Sequence, residues 1–271
     1  MAKKNKRFKK CPPLKITVLG CGPSGGVPMI GCHCDVCLSD NPKNKRLRAS
    51  ILVESATTRI LVDFGPDIRQ QALRHNINYI DAALLTHAHA DHFHGIDDIR
   101  YLYRDAELPV VIHGGREHLN EVSTRFSYTF KRAGNRIRPE LIVSPLEEGD
   151  EVMIGDIPVR PFRAPHGGMD VLGFRFGKFA YLTDCHDMPK VAQDIVKGAE
   201  VFLLEAYQLE RFETRRPIHA TVDQSLDWIK KTGVKKAYLT DMYHYVDYDR
   251  IQEYLPKNVK PSYDGMVIKV A

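Results

Sequence analysis

A mixed α/β or α+β domain is the fold class this sequence predicts, and three observations predict it. Short runs rich in Val, Ile, Leu, Phe and Tyr recur throughout, helical stretches interrupt them, and the early segments are mostly strands whereas later ones alternate with helices. The runs are KITVLG, ASILVES, RILVDFG, AALLTH, PVVIHG, DIPVRPF, LGFRFG, FAYLTD, VFLLEA, KKAYLT and GMVIKVA, bounded by Gly, Pro, Asn or Asp as strands are. Helices are expected over 68–75, 94–104, 116–131, 188–198, 221–231 and 248–254, with Thr221 capping the fifth. No internal repeat stands out. The organisation expected is a basic, unstructured tail over 1–13 followed by one domain over 14–271.

Composition narrows the class further. With 271 residues, 43% of them hydrophobic, the chain can bury a sizeable core, and a soluble protein is the default expectation. No apolar run approaches the roughly 20 residues that cross a bilayer. The basic start is followed by CPPLKITVLG, which two prolines and a lysine spoil as a signal-peptide core, so a cytoplasmic protein with no membrane partner is expected. The formal charge is +5, but residues 1–10 hold six Lys or Arg and no acid, leaving a body close to neutral. Such a tail is normally solvated. A near-neutral body argues against a long nucleic acid as partner, because phosphate-rich ligands demand a positive face.

Six cysteines in a long chain of this kind point to metal or buried thiols rather than a disulfide framework. Cys11, Cys21 and Cys185 lie singly and read as small buried or incidental residues. Cys32, Cys34 and Cys37 form the knuckle GCHCDVC, which offers three ligands where a closed zinc site takes four.

The most specific signal is LLTHAHADHFHG, which follows an apolar strand with His87, His89, Asp91 and His92. Side chains two apart on an extended segment point the same way, so His87 and His89 can reach one metal. Asp91 and His92 fall where the strand should give way to a turn and can aim at a second. His94 reads as a supporting or surface residue, and His33, His75, His113, His118 and His186 as ordinary histidines.

The H-x-H-x-D-H signature, the upstream LVDFG, and the later RAPHGG, YLTDCHD and AYLTDMYH together resemble the metallo-β-lactamase superfamily. That resemblance implies a four-layer αββα sandwich with a two-metal centre along one edge. It implies a first site of His87, His89 and His166, a second of Asp91, His92 and Asp241, and Asp184 bridging the two. The family usually has His where this chain has Asp241. A second site rich in carboxylates suits Mn²⁺ or Mg²⁺ better than a nitrogen-rich one, so the active-site metals are expected to be Mn or Zn, with the second site leaning to manganese. Asp63 of LVDFG is expected to orient a ligand His from behind.

Three features bear on the chemistry. PIHATVDQ places His219 before Thr221 and is similar to the H-x-[ST] motif of the superfamily's phosphodiesterase branch, in which the His donates a proton near the leaving group. LGCGPSGGVP is a glycine-rich loop without the lysine of a P-loop, where backbone can approach a ligand closely. The knuckle after that loop resembles PhnP-type phosphodiesterases over residues 14–271. That likeness implies a structural zinc on Cys32, Cys34, Cys37 and His244, three residues past Asp241; His33 is a poor rival between two ligating cysteines.

The reaction implied is hydrolysis of a small phosphodiester, a ribose or nucleotide phosphate with cyclic ones included, by hydroxide generated between two divalent ions. Asp91 and Asp184 serve that centre, and His219 acts as general acid. Arg and Tyr residues of RYLYR, 100–104, are candidates for gripping the sugar or base, and the likeness implies a homodimer. Rival readings are a tRNA 3′-processing nuclease, a thioester or lactone hydrolase, and a non-catalytic nucleotide-binding protein. The first is disfavoured because His166 and Asp184 lie 18 residues apart, too few for an RNA-gripping arm between them.

Overall fold

The computed structural model describes residues 11–103, 108–131, 141–209 and 218–271. The basic stretch 1–10 and Arg104 of RYLYR lie outside the described residues. The first half of the chain supplies strands β1 (Leu14–Gly20), β2 (Ser50–Glu54), β3 (Arg59–Val62), β4 (Ala82–Leu85), β5 (Val110–Gly114) and β6 (Leu141–Pro145). The second supplies β7 (Val152–Ile154), β8 (Ile157–His166), β9 (Met169–Phe176), β10 (Phe179–Leu182), β11 (Val201–Glu205), β12 (Lys236–Thr240) and β13 (Val259–Pro261), and β14 (Val267–Val270) returns to the first sheet. Helices are α1 (Asp35–Leu38), α2 (Ile68–Arg74), α3 (Ala90–Phe93), α4 (Ile96–Ile99), α5 (Arg116–Arg125), α6 (Lys190–Val196), α7 (Val222–Thr232) and α8 (Tyr248–Tyr254).

Among the described residues two seven-stranded sheets result, ordered β14-β1-β2-β3-β4-β5-β6 and β13-β12-β11-β10-β9-β8-β7. Each is antiparallel on one side and parallel on the other, the parallel parts being β3 to β6 and β10 to β13. One apolar cluster joins the inner faces, with Ile16, Val18, Ile51, Val53 and Val62 from one sheet and Phe162, Phe174, Phe176 and Leu203 from the other. Helices α2, α4 and α5 cover the outer face of the first sheet through Ile68, Ile96 and Leu119, and α6 and α7 cover the second. Burial on both faces explains why these strands read as continuous apolar runs rather than alternating ones. The layer order is the αββα sandwich.

Most helices start and stop where their residues require. Thr221 and Gln224 close a capping box on α7, and Gly233 ends it in the left-handed conformation. The helix expected over 94–104 is shorter: only α4, Ile96–Ile99, falls in that range, and Gly95 separates it from the preceding α3. A Cβ at Gly95 would lie 2.3 Å from the Gly65 carbonyl oxygen, and Gly95 donates its N–H to the Phe64 carbonyl at 2.8 Å. Close approach of the 63–65 turn therefore forbids a continuous helix. Asp91 and His92 accordingly sit in a helical turn, not in a simple loop.

The glycine-rich loop serves a packing role. Gly22 and Val27 bond to the backbone of Leu47 and Arg46, so these glycines admit a neighbouring segment of the chain rather than a ligand. Arg46 runs inward from that segment, 2% exposed, and donates to the carbonyls of Met242, Tyr243 and Val246 and to Asn44 Oδ1. Removing it would leave several buried acceptors unsatisfied, each worth roughly 1–3 kcal/mol. Arg46→Met should therefore lose about 3 kcal/mol or more in urea unfolding, and a midpoint equal to wild type would disprove this anchoring role.

Candidate metal centre

The centre assembles where parallel strands end. Asp63 follows β3, His87 and His89 follow β4, Asp184 follows β10, Glu205 closes β11 and Asp241 follows β12. The open ends of parallel strands are where α/β sheets present their functional groups. Asp63, Asp184 and Asp241 all have positive φ, at 60°, 53° and 54°. Only Asn76 shares that conformation among the described residues that are not glycine. Aspartate tolerates it better than most residues, and such conformations concentrate at functional sites.

The imidazoles are aimed from behind. His92 Nδ1 meets Asp63 Oδ2 at 2.8 Å, His166 Nδ1 meets the Ile218 carbonyl at 2.8 Å, and His87 Nδ1 meets Thr86 Oγ1 at 3.0 Å. Thr86 in turn donates its N–H and hydroxyl to Asp63. Each of these rings thus presents Nε2 to the interior, the pattern of a ligating histidine. His118 does not stay an ordinary histidine: it accepts the Ala88 N–H at 3.3 Å, donates to the Asp170 carbonyl at 2.7 Å, and so fixes the segment between His87 and His89.

His87, His89 and His166 converge with all ligand atoms within 4.8 Å of one another. His87 Nε2 and His89 Nδ1 stand 2.9 Å apart, near the roughly 3.3 Å of two nitrogens on one tetrahedral ion. Asp184 joins one group with His87 and His92 and another with His166 and His219, which is a bridging placement. Asp91 Oδ2 lies 3.2 Å from His92 Nε2, and Asp184 Oδ2 lies 3.1 Å from the same atom. Asp241 groups instead with Glu205 and His219, rather than with His92.

Charge shows what the site needs. Asp63, Asp184, Glu205 and Asp241 are all at most 5% exposed, and Asp91 stands beside them. Burial and then the carboxylates of Asp184 and Glu205 push Asp241 well above the usual carboxylate range. Its Oδ2 has no hydrogen-bond partner among the described residues. Burial would lower His92, yet Asp184, Asp63 and Asp91 raise it well above the ordinary imidazole value. Burial keeps His87 well below that value, neutral and fit to ligate. A divalent cation supplies the positive charge that these buried carboxylates lack, and the mixed oxygen and imidazole donors suit one.

Glu205 is the residue that sequence reading missed. Its Oε1 meets His219 Nδ1 at 2.5 Å, and its Oε2 accepts the Cys185 N–H. Burial lowers His219, but Glu205, Asp184 and Asp241 outweigh it and raise its pKa to about 10. The only trace in sequence is an acid closing the apolar strand VFLLEA, which is weak until the sheet brings His219 alongside.

A second cluster lies apart from these. Cys32, Cys34 and Cys37 place Sγ at 3.3, 3.4 and 3.7 Å from His244 Nδ1. Tetrahedral zinc with ordinary bond lengths sets sulfur and nitrogen about 3.5 Å apart, so the four side chains fit one ion. His33 is exposed and is not part of this group.

Such a fold and site define a metal-binding member of the β-lactamase superfamily: the superfamily's domain model matches residues 58–242, and the chain belongs to it. Within it the chain is similar to the PhnP family. A diphosphatase of the PhnP family matches at 30% identity and a TM-score of 0.87, over 96% of this chain and 98% of that one. An octanoyltransferase of Porphyromonas gingivalis is 33% identical over 255 residues, 93% of this chain but 51% of the relative. A ribonuclease Z of Bradyrhizobium diazoefficiens is 32% identical over 139 residues, 50% of this chain and 46% of the relative. The chain thus spans about half the length of these two curated relatives. The short form of human tRNase Z shares the fold at 17% identity, with a TM-score of 0.67 over 95% of this chain and 99% of that one. Among the described residues no helix is long and apolar enough to cross a membrane.

The cysteine cluster yields a direct test. Cys34→Ser should lower bound zinc by one equivalent and lower the melting temperature, while a preparation held folded keeps its turnover per molecule. A folded variant without turnover would show that the knuckle takes part in the chemistry.

Proposed function

We propose that the protein is a metal-dependent phosphodiesterase for a small ribose or nucleotide phosphodiester, cyclic ones included, with His219 as the general acid. The observation that carries this is the Glu205–His219 pair beside the histidine and aspartate cluster. A thioester expels a thiolate that departs without a proton, whereas an alkoxide leaving from phosphorus needs one. The cytoplasmic setting and the homodimer belong to the same reading.

His87, His89 and His166 would hold one cation, and His92 and Asp91 the other, with Asp184 between them; Asp241, which lies with Glu205 and His219, would complete the second set from that side. Divalent cations there would polarise the phosphoryl oxygens and lower the pKa of water. The protein's own groups do the rest. Glu205 binds His219 Nδ1 and leaves Nε2 as the atom that can reach the leaving oxygen. A protonated His219 matches the raised pKa that its carboxylate neighbours produce. Asp63 and Thr86 hold the ligand rings in place from behind.

His219→Ala should retain its metal and lose roughly 10²–10⁴-fold in kcat on an alkyl phosphodiester, with a much smaller loss on bis-p-nitrophenyl phosphate. Glu205→Gln should shift in the same direction by less. Equal losses on both esters would remove the acid role from His219.

The second site rests on Asp241, Asp91 and Asp184 as oxygen donors, which favours manganese. Protein purified without chelator should carry manganese alongside zinc, and Asp241→His should shift that ratio toward zinc. Two tightly held zinc ions in the wild-type centre would count against the manganese preference.

A further inference from the structure

The His219 ring has more than one use open to it. Its Nδ1 lies 2.5 Å from Glu205 Oε1, 3.6 Å from Asp241 Oδ2 and 3.8 Å from Asp184 Oδ1. It therefore belongs to two groups that could hold a metal, one with His166 and Asp184 and one with Glu205 and Asp241. Moving between these partners means rotating the ring out of its plane about the Cβ–Cγ bond. Something must oppose that rotation if the imidazole is to stay on Glu205.

Tyr207 lies flat against it. The two ring centroids are 4.0 Å apart with planes inclined by 7°. An imidazole turned out of this plane would drive an edge into the phenol. Edge-on contact with the His166 ring, at 5.0 Å and 61°, bounds His219 from another direction. Tyr207 is itself doubly seated. Its N–H donates to the carbonyl of Ala220, the neighbour of His219, at 3.0 Å, and its carbonyl accepts from Tyr243 N–H at 2.8 Å. The Tyr243 ring stacks on it at 4.7 Å and 22°. Two near-parallel rings at those distances cannot share one face, so Tyr207 is held between His219 and Tyr243. Tyr243 in turn touches the ring of His244 in the cysteine cluster, at 4.2 Å.

We propose that Tyr207 is a positioning residue that fixes the plane of His219, so that the imidazole serves the leaving group instead of joining the metal ligands. This rests on His219 being the general acid. The ring face does the work and the hydroxyl is not needed.

The test sets Tyr207→Leu, Tyr207→Met and Tyr207→Phe beside His219→Ala in zinc-loaded protein. Tyr207→Leu should lose about tenfold in kcat on an alkyl phosphodiester, the size of one stacked aromatic pair, and far less on bis-p-nitrophenyl phosphate. KM for the activated ester and metal content should hold, and Tyr207→Phe should restore the wild-type pattern. The Nδ1 proton of His219, followed by NMR, should be sharp in wild type and Tyr207→Phe and exchange-broadened in Tyr207→Leu. Tyr207→Met guards against a Leu variant that does not fold, and should behave like it. If His219→Ala shows the leaving-group dependence but Tyr207→Leu and Tyr207→Met do not, or if their His219 proton stays sharp, the proposal is overturned alone. If His219→Ala itself loses equally on both esters, the acid role and this proposal fall together.

Discussion

Carboxylates buried without enough positive charge are the constraint around which this structure is arranged. Asp63, Asp184, Glu205 and Asp241 converge from the ends of four parallel strands in two sheets, with Asp91 beside them. Each buried anion costs several kcal/mol unless it is paired, and imidazoles alone pair only some of them. His92 and His219 each have three carboxylate neighbours, Asp184 being common to both, yet Asp241 still has an oxygen without a hydrogen-bond partner among the described residues. Divalent cations held there would settle that imbalance. The positive backbone φ at Asp63, Asp184 and Asp241 fits the same account, since such strained conformations concentrate at functional sites.

Holding the centre falls to groups that never touch it. Arg46 gathers the carbonyls of the loop after Asp241, and Asn44 ties the same loop to Asp247 and Tyr248. The cysteine knuckle grips His244 in that loop from the other side. These contacts join residues 32–46 to residues 242–248 and make one support for Asp241. Its unusual carboxylate therefore has a fixed address, even though the strand carrying it lies in the opposite sheet from the histidine signature.

What could be read from sequence depended on whether a residue's meaning is local. The strands were legible because burial on both faces makes them continuous apolar runs, and α7 because Thr221, Gln224 and Gly233 mark its ends. His87, His89, Asp91 and His92 were legible because they share one short segment. The helix over 94–104 was not, because the reason it breaks, the 63–65 turn packed on Gly95, is 30 residues away. Strands β6, β7 and β13 were missed, being sheet-edge pieces of five residues or fewer whose pairing partners define them. Glu205, His118, Arg46 and Tyr207 were missed for one shared reason: each acts through a partner from another element, and nothing in its neighbours along the chain announces that partner.

His219 and Asp241 show how a single scaffold separates similar donors into different roles. Both lie within reach of Asp184 and Glu205, and chemistry alone would let either one ligate a cation. Asp241 is short, fixed by its turn and surrounded by negative charge, so a cation is the partner that relieves it. His219 is longer and could swing, but Glu205 takes one nitrogen and the face of Tyr207 resists the rotation that would release it. The column of rings from His219 through Tyr207 and Tyr243 to His244 places His219 and the cysteine cluster on one support. The knuckle is thus remote from the reacting atoms and still bears on them, because the loop it braces carries both the carboxylate of Asp241 and the aromatic backing of Tyr207.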